Sequence, residues 1–230
     1  MTQIQVIKVQ RLYRQVAQQL QDLIGQGVFE VGQRLPSERD LAEQFGVSRP
    51  TIREAMIALE IAGQVEVKSG SGVYVLSQVR KRRWMDSDQG PGPFEILEAR
   101  RLIEGETCAL AAERISDEQL ARLEELLGEM EQENKREDAA EQADERFHRS
   151  IADAAGNSAL SATIGWLWEL RNESGISTHF HQRVREEGSR PIIADHRAIL
   201  DGLQARDPKK ARRAMDKHLK RVISNLLEGK

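Results

Sequence analysis

Apolar residues recur along the first third of the chain with two different periods, and the change of period marks where helices give way to strands. Leu12, Val16, Leu20, Leu23 and Ile24 fall on one helical face, which Gly25 and Gly27 close. A short second helix starts at Pro36-Ser37. Ser37 can cap it, Asp40 stands at the capping-box position, and Leu41 and Phe45 face inward. Gly46-Val47 turns the chain into a third helix, capped by Ser48, with the stripe Ile52, Ala55, Met56 and Leu59 and a stop at Gly63. Beyond Gly63 the period drops to two. Val65 and Val67, then Val73 and Val75, alternate on either side of Lys68-Ser69-Gly70-Ser71-Gly72, the pattern of a β-hairpin with a glycine-rich turn.

Three helices followed by a hairpin is the element order of a winged helix-turn-helix, and the pattern assigns residues 1–77 to it. Residues 78–93, ending in Gly90-Pro91-Gly92-Pro93, break every periodicity and read as a linker. From Phe94 onward the helical period returns in six stretches: Leu97 to Ala112, Leu120 to Met130, Ala139 to Ala155, Leu160 to Asn172, Ile192 to Leu203 and Pro208 to Leu227. These predict an all-α bundle over residues 94–230, so the chain as a whole is expected to be mainly α. No internal repeat is visible, and the Glu-rich stretch from Glu124 to Glu141 keeps its helical stripe.

Composition sharpens this outline. With 39% hydrophobic residues the chain is too apolar for disorder, and with 4% aromatic it suits helices better than a sandwich or barrel. No run of strictly apolar residues exceeds five, which argues against a membrane-spanning helix or a secretory signal. The single cysteine, Cys108, lies in an apolar helical pattern and has no internal disulfide partner, so a cytoplasmic location is expected. The net charge of -3 hides an uneven distribution. Residues 1–77 balance 8 basic against 8 acidic side chains, and residues 94–230 carry 22 against 27. Between them lies the basic strip Arg80-Lys81-Arg82-Arg83. Such strips are most often solvated linker; this one permits phosphate contact without requiring it.

In a helix-turn-helix the N-terminal half of the third helix enters the major groove. Here that segment offers Ser48, Arg49, Thr51 and Arg53, with Arg39 on the preceding helix. The arginine fork matches the O6/N7 acceptors of guanine, and hydroxyls at a helix N-terminus suit phosphate oxygens. Ser69 and Gly70 at the hairpin tip would let backbone approach a sugar-phosphate edge. Taken singly, these arginines could equally be surface residues paired with Glu38, Glu43 and Glu54. The combination is more specific. Gly32-Gln33-Arg34-Leu35-Pro36-Ser37-Glu38-Arg39-Asp40-Leu41-Ala42, then Phe45 through Ala55, Leu59-Glu60 and Gly70-Ser71-Gly72-Val73-Tyr74-Val75 resemble the GntR family of bacterial transcriptional regulators over roughly residues 8–77. The resemblance implies that Arg39, Arg49 and Arg53 are principal DNA contacts, supported by Ser48, Thr51 and Gly70.

A second constellation lies in the helical part. Asp144 and His148 are four apart and so share one helical face, while His196 and His218 sit among apolar residues of two other stretches. If these helices meet, one carboxylate and three imidazoles converge, a donor set suited to Zn²⁺, Ni²⁺, Mn²⁺ or Co²⁺ with positions left open for a ligand. On spacing alone, three separate core histidines are the commoner explanation of such a pattern. Asp144-Glu145-Arg146-Phe147-His148 with Ile151, Ala152, Ala155, Gly156 and Asn157, preceded by Glu98-Ala99-Arg100, Glu104 and Ala111-Ala112, is similar to the all-helical FCD ligand-binding domain of the FadR-type branch of that family. The resemblance implies a divalent metal, zinc or alternatively nickel or manganese, held by Asp144, His148, His196 and His218. His179 and His181 lie in a polar stretch and are expected in a loop or helix end at the pocket mouth.

A metal with open positions in an apolar bundle favours a small anion, and arginine supplies a matching cation. Arg100, by the resemblance, and Arg171 with Asn172, following Trp166 and Trp168, are the expected effector contacts. Gly92 through Arg100 and Trp166 through Asn172 look most like regulators of hexuronate catabolism, which implies a sugar acid such as a hexuronate or aldonate. The expected protein is a dimeric repressor, not an enzyme, that releases a palindromic operator when this carboxylate binds. A homodimer also follows from physics, since one recognition helix reads too few bases. The alternative from another class is a metal-dependent hydrolase or isomerase acting on a small carboxylate, which the same donor set would permit. A constitutive architectural DNA binder is a third reading, excluded by any carboxylate that changes operator affinity.

Overall fold

The computed structural model describes residues 10–68, 70–77, 90–136 and 141–228, and divides between Gly92 and Pro93 into two compact units. The N-terminal unit contains α1 (Leu12–Gly25), α2 (Glu38–Phe45) and α3 (Arg49–Ile61), then the antiparallel strands β1 (Val65–Lys68) and β2 (Gly72–Val75). Its core follows the predicted one with an exchange on α1, and the expected Leu23 and Phe45 are only half-buried. Tyr13 is buried, and its hydroxyl donates to the carbonyl of Gly90 at 3.1 Å, whereas Leu12 is exposed. Val16, Ala17, Leu20 and Ile24 pack with Ile52, Ala55, Met56 and Leu59 inside. Ser37 and Ser48 each accept a backbone N–H three residues on, from Asp40 at 3.2 Å and Thr51 at 3.3 Å, which opens α2 and α3 where expected. Gly46 ends α2 in the left-handed region at φ 65°.

In the hairpin Val65 pairs with Val75 and Val67 with Val73. Residues 32–35, to which the pattern assigned no element, add a third edge to it: Leu35 N–H donates to Val73 O at 2.8 Å and Val75 N–H to Gln33 O at 3.0 Å. Of the expected 78–93 linker, residues 78–89 lie outside the described residues, as does Ser69 at the hairpin tip. Gly92 lies so close to the Glu54 carboxylate that a Cβ there would sit 2.2 Å from it. Glu54 is buried on α3 and is thereby removed from the expected surface pairing. Pro93 is already the first residue of the next helix.

The C-terminal unit contains, among its described residues, seven helices: α4 (Pro93–Arg114), α5 (Asp117–Glu133), α6 (Gln142–Ala154), α7 (Ser158–Glu173), α8 (Gly175–Glu186), α9 (Ile193–Gln204) and α10 (Pro208–Glu228). The periodicity predicted six. The added one, α8, buries only Ile176, Ser177 and Phe180, too few for a visible stripe, and is held by Phe180 packing at 5.5 Å on Phe94. It carries His179 and His181, which are therefore helical rather than in a loop. A reciprocal capping box of Ser116 and Gln119 opens α5, and the Asn157 side chain caps α7 by accepting from Ala159 and Leu160. Where α9 meets α10, Gly202 lets the backbones approach closely: a Cβ at 202 would lie 2.8 Å from Ala211 Cα. None of the described helices is long and apolar enough to cross a membrane.

Candidate nucleic-acid interface and candidate metal centre

At the start of α3 the Ser48 and Thr51 hydroxyls lie 2.8 Å apart beside the helix N-terminus. Arg39 is highly exposed and Arg49 half-exposed, its guanidinium 3.7 Å from Glu38. Arg53 differs: its Nε donates to Glu38 Oε1 at 2.6 Å and the side chain is only 18% exposed, so it ties α3 to α2. Gly70 sits at the hairpin tip with φ 72°, and Gly72 leaves room for Arg34, whose Nε would be 2.5 Å from a Cβ there. Arg34 was not singled out by the sequence reading. Its place beside the wing depends on the pairing of residues 32–35 with β2.

In the C-terminal unit, Asp144 and His148 on α6, His196 on α9 and His218 on α10 converge, with one ligand atom from each all within 4.8 Å of one another. The three histidines are buried, and the His196 and His218 rings are 4.4 Å apart. His196 Nε2 lies 2.8 Å and His148 Nε2 3.8 Å from Asp144 Oδ1. Groups behind the cluster orient the imidazoles. His148 Nδ1 donates to Glu104 Oε2, and His196 Nδ1 donates to the carbonyl of Ile192 at 3.0 Å, so each ring turns Nε2 inward. Asp195 stands 3.8 Å from His218 Nδ1 and is itself paired with Arg221 at 2.7 Å. Two of the buried nitrogens, His148 Nε2 and His218 Nδ1, have no hydrogen-bond partner, a costly state that a cation accepting the His148 lone pair would remove.

The charges agree with this arrangement. Burial would raise the Asp144 carboxyl, but the hydrogen bond from His196 and the adjacent imidazoles outweigh it and hold it well below the usual carboxylate range. Burial likewise opposes ionisation of Glu104, yet Arg100 and His148 bring it down to about 2. Burial and the neighbouring imidazoles push His218 down to about 4, leaving a neutral lone pair for coordination. Burial opposes a proton on His196, yet in the absence of metal Asp144 and the backbone carbonyl of Ile192 raise its pKa. A divalent ion would take the place of the proton that His196 shares with Asp144, so a carboxylate and three imidazoles so oriented fit a divalent metal ion. Glu104 and Asp195 were missed as orienting groups by the sequence reading. Their signals were the Arg100/Glu104 spacing of four and the adjacency of Asp195 to His196.

A pocket beside the cluster is lined by Arg100, Asp144 and His218 together with Glu141, Arg171 and His181. Arg100 is buried, donates from Nε to Glu104 at 2.6 Å and stacks 3.8 Å over the ring of Trp168. Arg171 lies 5.2 Å over the same ring and pairs with Glu141 at 2.6 Å. Burial and these two arginines hold His181 well below its ordinary pKa, so it faces the pocket neutral. Asn172 does not line the pocket: it is exposed and donates to Glu145 at 3.1 Å. One residue along a helix rotates a side chain by about 100°, which takes position 172 away from the wall that Arg171 forms.

Comparison with known proteins agrees with both units. The model of the "Bacterial regulatory proteins, gntR family" matches residues 12–75, and that of the "FCD domain" matches residues 95–221. The Uxu operon regulator of Haemophilus influenzae is 35% identical over 222 residues, covering 96% of this chain and 84% of that protein. The Exu regulon transcriptional regulator of Escherichia coli is 36% identical over 220 residues, covering 94% and 84% respectively. Among solved structures, E. coli McbR/YncC is 25% identical, with 96% of this chain and 99% of that one covered at a TM-score of 0.48. A three-helix unit with a wing, followed by a helical unit built around an Asp/His cluster, is thus accounted for along nearly its whole length by regulators and not by hydrolases or isomerases: the chain belongs to the gntR family of bacterial regulatory proteins, with an FCD domain as its second unit, and is a DNA-binding transcriptional regulator.

Proposed function

We propose that the protein is a cytoplasmic homodimeric repressor that binds a palindromic operator and releases it when a sugar acid such as a hexuronate or aldonate occupies the C-terminal pocket. The observation that carries this reading is the buried Asp144/His148/His196/His218 cluster opening onto a pocket with two arginines stacked on one tryptophan. A bound divalent ion, zinc or alternatively nickel or manganese, would supply open coordination positions for a carboxylate. Arg100 and Arg171 add cationic donors on the wall, held in orientation by Trp168. The pocket has a volume of about 80 Å³. The names of the uxu and exu regulators agree with a hexuronate-related effector.

On the DNA side, Arg39 and Arg49 are the side chains that reach outward to bases and phosphates. Ser48, Thr51 and the wing residues Ser69 and Gly70 address phosphate, and Arg53, which also fixes α3 on α2 through Glu38, is the third DNA-contacting arginine. Release requires the effector to bind the DNA-incompetent arrangement more tightly than the DNA-bound one. The test is Asp144→Asn, which keeps the volume and removes the charged ligand. Its metal content should fall below one ion per chain, and galacturonate or gluconate should no longer release operator DNA, which the variant still binds. A variant that responds to these acids as the wild type does would overturn the metal-assisted reading.

A further inference from the structure

Glu141 is placed in the pocket against several local preferences. Its backbone is left-handed, φ 53° and ψ 35°, a conformation shared by one other non-glycine among the described residues. It stands at the N-cap of α6, where an acidic side chain ordinarily accepts an orphan N–H, yet it makes no capping bond. The side chain turns inward instead, and its Oε2 accepts from Arg171 Nη2 at 2.6 Å with both side chains 12% exposed. Burial and the nearby Asp144 raise its pKa against the pull of Arg171. No described residue donates a hydrogen bond to its other oxygen. Strain retained in a site points to a role in that site.

A carboxylate at this position works against a simple anionic effector. Asp144 and Glu141 put two negative groups on a wall that also carries Arg100, Arg171 and Arg190, so Glu141 offsets part of the attraction that these cations offer an incoming carboxylate. Glu141 becomes attractive only toward a ligand that brings O–H donors, because an O–H to carboxylate bond is charge-assisted and strong. Arg171 beside it can donate to a neighbouring hydroxyl oxygen, so the pair reads one donor and one acceptor. A ligand without hydroxyls would cover this acceptor and strip it of water without pairing it, which is how a polar site rejects an otherwise similar molecule.

We propose that Glu141 is the hydroxyl-reading residue of the effector pocket and that its charge excludes acids with a second carboxylate, so that the effector is a polyhydroxy monocarboxylate. The proposal rests on the carboxylate-effector reading above. It is tested by calorimetric titration of the zinc-loaded full chain with D-glucuronate, with D-glucarate, which carries a second carboxylate on the same carbon chain, and with hexanoate, which carries no hydroxyls. The wild type is expected to bind glucuronate at least about tenfold more tightly than the other two. Glu141→Gln should narrow the glucarate gap about tenfold. Glu141→Gly, which suits the left-handed backbone and so protects the fold, should narrow both gaps. A glucuronate preference that survives both substitutions overturns the Glu141 assignment while leaving the carboxylate reading in place. A wild type that binds glucarate or hexanoate as tightly as glucuronate overturns the assignment directly. A wild type that binds none of the three overturns the carboxylate reading, and the assignment with it.

Discussion

Glu104 joins the two halves of the candidate site, and replacing it by Gln separates what each half owes to it. The carboxylate is 2% exposed; one oxygen accepts from Arg100 Nε at 2.6 Å, and the other from His148 Nδ1. Gln conserves the volume but has a single acceptor oxygen, and its amide N–H₂ would face whichever donor is left. The Arg100 guanidinium then stays buried without its counter-charge, and removing one partner of a buried pair costs about 3–5 kcal/mol. On the metal side, loss of a carboxylate behind a ligating histidine lowers affinity about 10–100-fold. Urea unfolding of the chelator-stripped protein reads the first effect and competition with a chromophoric chelator reads the second. Arg100→Met supplies the control, since it removes the charge that Glu104 would otherwise neutralise. In that background Glu104 is itself the charge left buried without its counter-charge, so Glu104→Gln should change stability by no more than about 1 kcal/mol in either direction. The defect in metal affinity should remain. Equal destabilisation in both backgrounds, or an unchanged chelator curve, would refute the bridging role.

Two further outcomes follow from the geometry. Gly202→Ala should destabilise the C-terminal unit by about 1–3 kcal/mol because its Cβ meets Ala211 Cα at 2.8 Å, an overpacking cost that exceeds the gain in helix propensity; a rise in the urea midpoint would show that α9 and α10 are not in close backbone contact. Arg49→Ala should weaken operator binding by about 1–3 kcal/mol in fluorescence anisotropy and relax base preference, whereas equal losses on operator and random DNA would reduce Arg49 to a phosphate contact.

What could be read without coordinates is what neighbouring residues settle among themselves. The change of period at Gly63, the serine caps of α2 and α3 and the left-handed Gly46 each involve partners within a few positions, and the elements form where the pattern places them. The four-residue spacing likewise puts Asp144 and His148 on one face of α6 before any packing is known. That His196 and His218 join them is a long-range fact, for which spacing offered only candidates. Three other outcomes depended on tertiary structure. The helix α8 has too little apolar surface to announce itself and exists because Phe180 finds Phe94. Tyr13 takes the core position that periodicity assigned to Leu12, because its hydroxyl reaches Gly90. The hydrogen bonds that orient the imidazoles and the inward turn of Glu141 join residues 30 or more positions apart in the cases of Arg171 and His148. Local periodicity and capping act over one or two turns and are written in the order of residues. Which face meets which, and therefore which polar group is stranded, strained or satisfied, is decided only when whole elements compete for the same buried space.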